Sequence, residues 1–480
     1  MLVLAVLLVL LWPVTAWWVE HVDGVKLHGR DALTGKDRQE SLDKARGRIT
    51  AMATGFLAAV AIYYTAANAR SARETAKAAQ ESVHAALRAA DHTEQAQLRT
   101  HELTERGQLT DRFTAAVAQL GDTNPAIQLG GVHALAGIAD DASRTLRQTC
   151  IDVLCAYLRL PYTPDPGPLP TDQQTTPTAE RDTHHQQRIV YRGLREVRHT
   201  ILRLIGNHLR LPAEDPYCWQ GHDFDFTDVV FDGGDLHGAH FTAGTANFTN
   251  ATFANSFSFR NVTFSGGQVS FAGARFSGQV DFADAMFADG EVNFWGAMFS
   301  GGQVSFAGAR FSGQVDFADA QFSGGEVNLV NATFSGGQVS FMGATFSGGQ
   351  VSFRGAMFSG GQVSFVSATF SGGQVSFVGA TFSDGKVIFI GATLSGSKVN
   401  FWGAMFSGGE VNFEDATFSD GQVNFIAAMF SGGEVSFGRA LFTGGRVDVA
   451  APRAWVRPPV GIPMDAEGRP PAGVSLPDTN

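Results

Sequence analysis

The chain has 480 residues, a formal net charge of −11 and three cysteines. It is too long for one ordinary core, and Cys150, Cys155 and Cys218 are too few for a disulfide framework and lack zinc-ligand spacing. The charge lies between Asp223 and Val449, with 19 acidic and 8 basic residues; the rest balances at 27 of each, which leaves no basic excess to draw nucleic acid.

The chain opens on an apolar run, Leu2 to Val19, with Trp12, Trp17 and Trp18 gathered at one end as interfacial aromatics are. No basic segment precedes it, so it reads as a membrane helix rather than a cleaved leader. A second run, Ile49 to Asn68, holds no charge, ends with Tyr63 and Tyr64 at its boundary, and has basic residues on both flanks. Its Ala51, Gly55 and Ala59 recur at four-residue steps, a small-residue ladder suited to helix packing in lipid. Residues 1–68 are therefore predicted to be a two-helix, multi-pass membrane anchor. The loop from Glu20 to Arg48 carries seven Lys or Arg against four in the twenty residues after Asn68, which by itself would place the loop inside.

Residues 69–107 are Ala-rich with mixed charge and read as a solvated helical stalk. Residues 108–161 hold three segments with apolar residues at three- and four-residue steps, a small helical block that includes QLGGVHALAGIA, a HEAT-like phrase. Residues 162–185, rich in Pro and Thr, read as a disordered link that ends on His184 and His185, a solvent-facing pair at a helix start. An amphipathic helix and entry segment over 186–217 is expected to cover the open end of the repetitive region after it.

From about Phe226 to Val449 one phrase repeats. Between Phe334 and Phe382 the phenylalanines fall at Phe334, Phe341, Phe346, Phe353, Phe358, Phe365, Phe370, Phe377 and Phe382, in steps alternating seven and five. Two places before each stands Ala or Val, so the frame is small apolar, polar, bulky apolar, polar, small. Such a short unit cannot bury its own face, so copies must stack at ~4.8 Å, with Phe inside and Gly-Gly pairs such as Gly348-Gly349 at corners. Six-residue steps, Phe276 to Phe282 and Phe311 to Phe317, mark shorter corner loops. Residues 450–480 are Pro-rich and read as a disordered tail, with Trp455 placed to close the far end.

The tandem units VSFVG and ATFSD (375–384), and the unbroken five-residue spacing of Phe226, Phe231, Leu236 and Phe241, resemble the pentapeptide-repeat family. The resemblance implies a right-handed β-helix of square cross-section over 218–449. The phrase LTDRFTAAVAQLG ahead of it resembles a module of actinobacterial membrane-anchored proteins of that family. This places the repeats in the cytoplasm, against the loop charges.

The fold class expected is an all-β solenoid preceded by helices. No nucleophile with a base, phosphate loop or metal spacing stands out, and the DFADA acids Asp281, Asp284, Asp316 and Asp319 follow from duplication of the repeat. No catalytic, cofactor-binding or metal residues are assigned. The function expected is a non-enzymatic scaffold that presents a rigid surface to an unknown protein partner at the membrane. The alternative is an acidic-rod DNA mimic acting on an enzyme such as gyrase, disfavoured by outward positions that are mostly Ser, Gly, Gln, Asn and Thr. An outward Thr row (Thr333, Thr345, Thr369, Thr381) has the form of an ice-binding face, but Met at 298, 357, 405 and 429 interrupts it.

Overall fold

A computed structural model describes residues 13–30, 33–168 and 178–477. Two compact units divide at Arg106/Gly107.

In the first unit residues 13–21 are helical, and the start of the run Leu2–Val19 lies outside the described residues. Val19, Leu27 and Ala45 form a small buried cluster. One helix, α1, then runs Lys36–Leu120, through the second apolar run and the Ala-rich segment without a break. The sequence explains the continuity: no Pro occurs between Gly35 and Gly121, and good helix formers fill most of the span. Two membrane helices are predicted, yet among the described residues α1 is the one helix long and apolar enough to cross a membrane.

The second unit begins with a helical block. The end of α1 packs Ala116 and Leu120 against α2 (Pro125–Asp141), α3 (Arg144–Arg159) and α4 (Thr178–Leu209). Asn124 caps α2 by accepting the Ala126 N–H at 3.0 Å, with Pro125 as first helical residue. At Gly131 a Cβ would lie 2.5 Å from the Leu120 amide nitrogen, so α2 crosses α1 at a glycine. Two features depart from the predicted disordered link. Tyr162 lies under the Arg198 guanidinium, 4.6 Å from its ring centre, and α4 starts at Thr178 rather than Gln186. Its start follows Pro177, and AERD continues the helical stretch, so His184 and His185 lie within the helix rather than at its start.

Residues 224–475 form the β-solenoid, about ten turns of short parallel strands. Successive strands fall on four ladders, which begin at Phe224–Asp225, Val230–Phe231, Gly234–Asp235 and His240–Phe241. The second and third ladders are separate sheets of 10 and 11 strands; the first and fourth join into one 18-stranded sheet through the long strands Met357–Ser364 and Thr381–Ile388. One turn shows the rule. Val339, Phe341, Ala344, Phe346, Val351, Phe353, Ala356 and Phe358 all point inward and are at most 5% exposed. Each Phe stacks on its copy one turn away: Phe346 on Phe370 at 4.7 Å, Phe353 on Phe377 and Phe358 on Phe382 at 4.8 Å between ring centres.

Two kinds of corner alternate. Between Phe341 and Ala344 a tight turn closes with an N–H···O bond of 3.1 Å and a left-handed third residue, Gly343. The other corner is the Gly-Gly loop. Gly349 has φ +71°, and a Cβ there would stand 2.5 Å from the Gly325 carbonyl oxygen one turn below, so glycine is required by stacking as well as by φ.

The tail is ordered, in place of the predicted disorder. Ala454–Trp455 pairs with Met429–Phe430, Val460 bridges to Ser436, and Val474–Ser475 pairs with Val447 and Asp448. The reason is that the last full turn leaves unpaired strand edges, and Trp455, 5.3 Å from Phe430 edge to face, extends the aromatic column.

Candidate interaction surfaces of the coil

With the interior filled by Val, Phe and Ala, chemistry is left to outward side chains. All nine phenylalanines of the stretch from Phe334 to Phe382 are at most 2% exposed. Ala51, Gly55 and Ala59 stand exposed on α1, where four-residue steps place them on one face.

The ladders differ on the outside. The first and third present rows of Gln and Ser, such as Gln338 and Ser340, or Gln350, Ser352 and Ser376. On the second, Thr345, Thr369, Thr393 and Thr417 occupy four consecutive rungs in register, with Ser347, Ser371, Ser395 and Ser419 beside them. On the fourth, the order is Thr333, Met357, Thr381, Met405, Met429. The Thr row that looks interrupted in sequence is thus two rows on different ladders. Met298 lies two rungs below Thr345. Exposed apolar side chains mark the tight-turn corners: Trp295 and Met342 between the first and second ladders, Trp402 between the third and fourth.

Charge is dispersed and partly paired. Asp284 meets Arg260, Glu410 meets Lys386, Glu434 meets Arg457 and Asp448 meets Arg446. Arg439 bridges Glu414 and Asp415 and holds the Asp415 carboxyl below the usual carboxylate range. The DFADA acids shape the backbone: Asp281 and Asp316 accept the N–H of Ala283 and Ala318 at 2.8 and 2.9 Å, and Asp284 and Asp319 take the left-handed corner position.

Where the block meets the coil, polar side chains satisfy the first turn. Arg198, buried, donates to the carbonyls of Leu158 (2.7 Å) and Val230 (2.8 Å). Arg147 donates to those of Ala139, Cys218 and Pro216 at 2.8, 3.1 and 2.7 Å. Asp232 receives Arg195 at 3.1 Å and the Tyr162 hydroxyl. Burial and that carboxylate push the Tyr162 hydroxyl far above the usual phenol range. His208 stacks on Trp219 at 4.1 Å, and Asp140 sits within 3.0 Å of His208 Nε2. His222, buried, faces Gln148 Oε1 at 3.0 Å; burial, then Arg144 and Arg147, lower its pKa to about 4. Sequence inspection misses these residues because most of their partners lie between 32 and 74 positions away, beyond any local pattern. The Thr ladder does leave a signal, since its members are 24 residues apart.

Among the described residues no three His, Cys, Asp or Glu side chains gather as metal ligands would, and the three cysteines are free and buried. Residues 301–341 match the family model described as pentapeptide repeats (9 copies). No curated protein matches the chain.

Proposed function

Because the coil of this chain is built of pentapeptide repeats, we propose that the protein is a membrane-anchored, non-enzymatic scaffold whose solenoid presents its outer surface to a protein partner. The coil is right-handed and square in section, one repeat per face. Leu2–Val19 and the Ile49–Asn68 part of α1 cross the membrane as a pair, with Ala51, Gly55 and Ala59 at their contact and the repeats on the cytoplasmic side.

The observation that carries this reading is the division of labour within the repeat. The inward positions are uniform and fully used in packing, while the outward ones vary from ladder to ladder and carry mostly neutral hydrogen-bonding groups. A surface of that kind recognises by shape and directional hydrogen bonds. The rival reading, a DNA mimic, needs a dense anionic face, and the dispersed, partly paired acids of this coil make a weak field.

The test is extraction and salt dependence on the tagged full-length chain. It should remain in membranes through alkaline washing, and a protein first identified by cross-linking to the coil should, without the cross-linker, stay bound as salt rises past the point where the Debye length falls below ~8 Å. Release of the chain by alkali would remove the anchor. Inhibition of gyrase supercoiling by the detergent-solubilised chain at low salt, abolished at moderate salt, would replace the scaffold with the mimic.

A further inference from the structure

From the second ladder we infer that this protein carries a face that binds ice, the ligand being an ordered lattice of water oxygens. Thr345, Thr369, Thr393 and Thr417 are paired rung to rung, as are Ser347, Ser371, Ser395 and Ser419. The result is two parallel columns of hydroxyls. The rung repeat is that of the Phe column directly beneath, 4.7 Å between Phe346 and Phe370. Across the strand, alternate residues on one face stand ~6.7 Å apart. These sides approximate the rectangle of oxygens on a prism face of ice.

Three further observations point the same way. All eight side chains are part-exposed, and among the described residues none of their hydroxyls has a hydrogen-bond partner within the protein. No charged side chain occupies those eight positions, so nothing on the columns imposes its own hydration shell. Thr is β-branched and stiff at χ1, so in-register backbones hold its hydroxyl and methyl in fixed, repeated places, and ordering them on a lattice costs little entropy.

The row follows the whole-turn period of 24 residues rather than the twelve-residue phrase. The same phrase feeds the fourth ladder, where Thr alternates with Met at 357 and Met recurs at 405 and 429. Continuous Thr is thus particular to one face. Of the methionines that interrupt the row in the linear sequence, Met357, Met405 and Met429 belong to the fourth ladder, and Met298 lies on the second, two rungs below Thr345 and outside the four-rung row.

The experiment uses the full chain, purified in detergent and fluorescently tagged, and measures its partition into a slowly growing ice surface. The test variant is Thr369→Gln with Thr393→Gln. Gln already stands at the equivalent rung position at Gln321 and recurs on the first and third ladders, as at Gln338, Gln350 and Gln374, so the variant is compatible with the coil. The control is Thr333→Gln with Thr381→Gln on the fourth ladder, and thermal melts verify that both fold. The expected result is enrichment of the wild type and of the control in ice, and exclusion of the second-ladder variant. Exclusion of the wild type to the same degree as a detergent-solubilised protein without the coil overturns the proposal. So does equal partition of wild type and both variants, which would show adsorption unrelated to this face.

Discussion

Each inward phenylalanine touches its own copies before anything else. Phe353 lies 4.8 Å from Phe377 face to face and 6.1 Å from Phe341 edge to face, and is fully buried. Burial of such a ring contributes roughly 1.5–3 kcal/mol, and the offset and edge contacts add about 0.5–1.5 kcal/mol per pair. Phe353→Asp would set a carboxylate in that dry column with no partner, at a cost of several kcal/mol. Ser352, one residue earlier, points outward between Asn328 and Ser376, so Ser352→Asp should shift stability by less than about 0.5 kcal/mol. Thermal melts of the two variants decide it: equal damage would mean that the register is wrong. This much is legible in the sequence, because the alternation of seven and five forces one set of residues inward. What a linear reading loses is the ladder to which each outward residue belongs, since neighbours in space are a whole turn apart. Thr345 and Met357 look adjacent in the repeat and lie on different faces.

At the scale of elements, the joint between helices and coil is held by polar groups rather than by the repeat. His222 sits there between Gln148 and the guanidinium groups of Arg144 and Arg147, and its folded pKa of about 4 is below the ordinary 6.5. The folded state therefore resists protonation. The contribution of His222 is fully present above pH 6.5 and is lost as pH falls from there towards 4, by at most about 3 kcal/mol. His199 is depressed in the same direction, so part of the acid loss persists without His222. Melting temperatures at pH 7.5 and 5 should accordingly fall further in the wild type than in His222→Gln; an equal fall would show that His222 is not held neutral. Within α4, Leu202 and Ile205 are buried in the common core. Its start at Thr178 and the arginine bonds to carbonyls were not legible, because each depends on a partner distant in sequence.

For the molecule's coil as a whole, the two ends are solved differently. Helices and arginines close the first turn, while the tail adds rungs to the fourth, first and third ladders, and among the described residues the Leu441–Phe442 rung of the second has no successor. Removing residues from Ala450 onward would bare strand edges on three ladders, and the truncated chain should associate in a concentration-dependent way by light scattering. A monodisperse truncated chain would show that those rungs are dispensable. The tail's proline content gave no hint of this, since what orders it is the unpaired edge it meets. The identity of successive turns has a genetic consequence as well. Each turn contacts only its neighbours, and Phe341, Phe365 and Phe389 recur at intervals of 24 residues with almost the same text between them. Unequal crossover within such a gene would delete or insert a whole turn and leave every remaining junction as it was. A half-turn event would exchange the second and fourth ladders downstream of it and deliver the tail to the wrong sides of the coil. Alleles should therefore differ by complete turns, with each ladder's outward alphabet kept intact through the change in copy number.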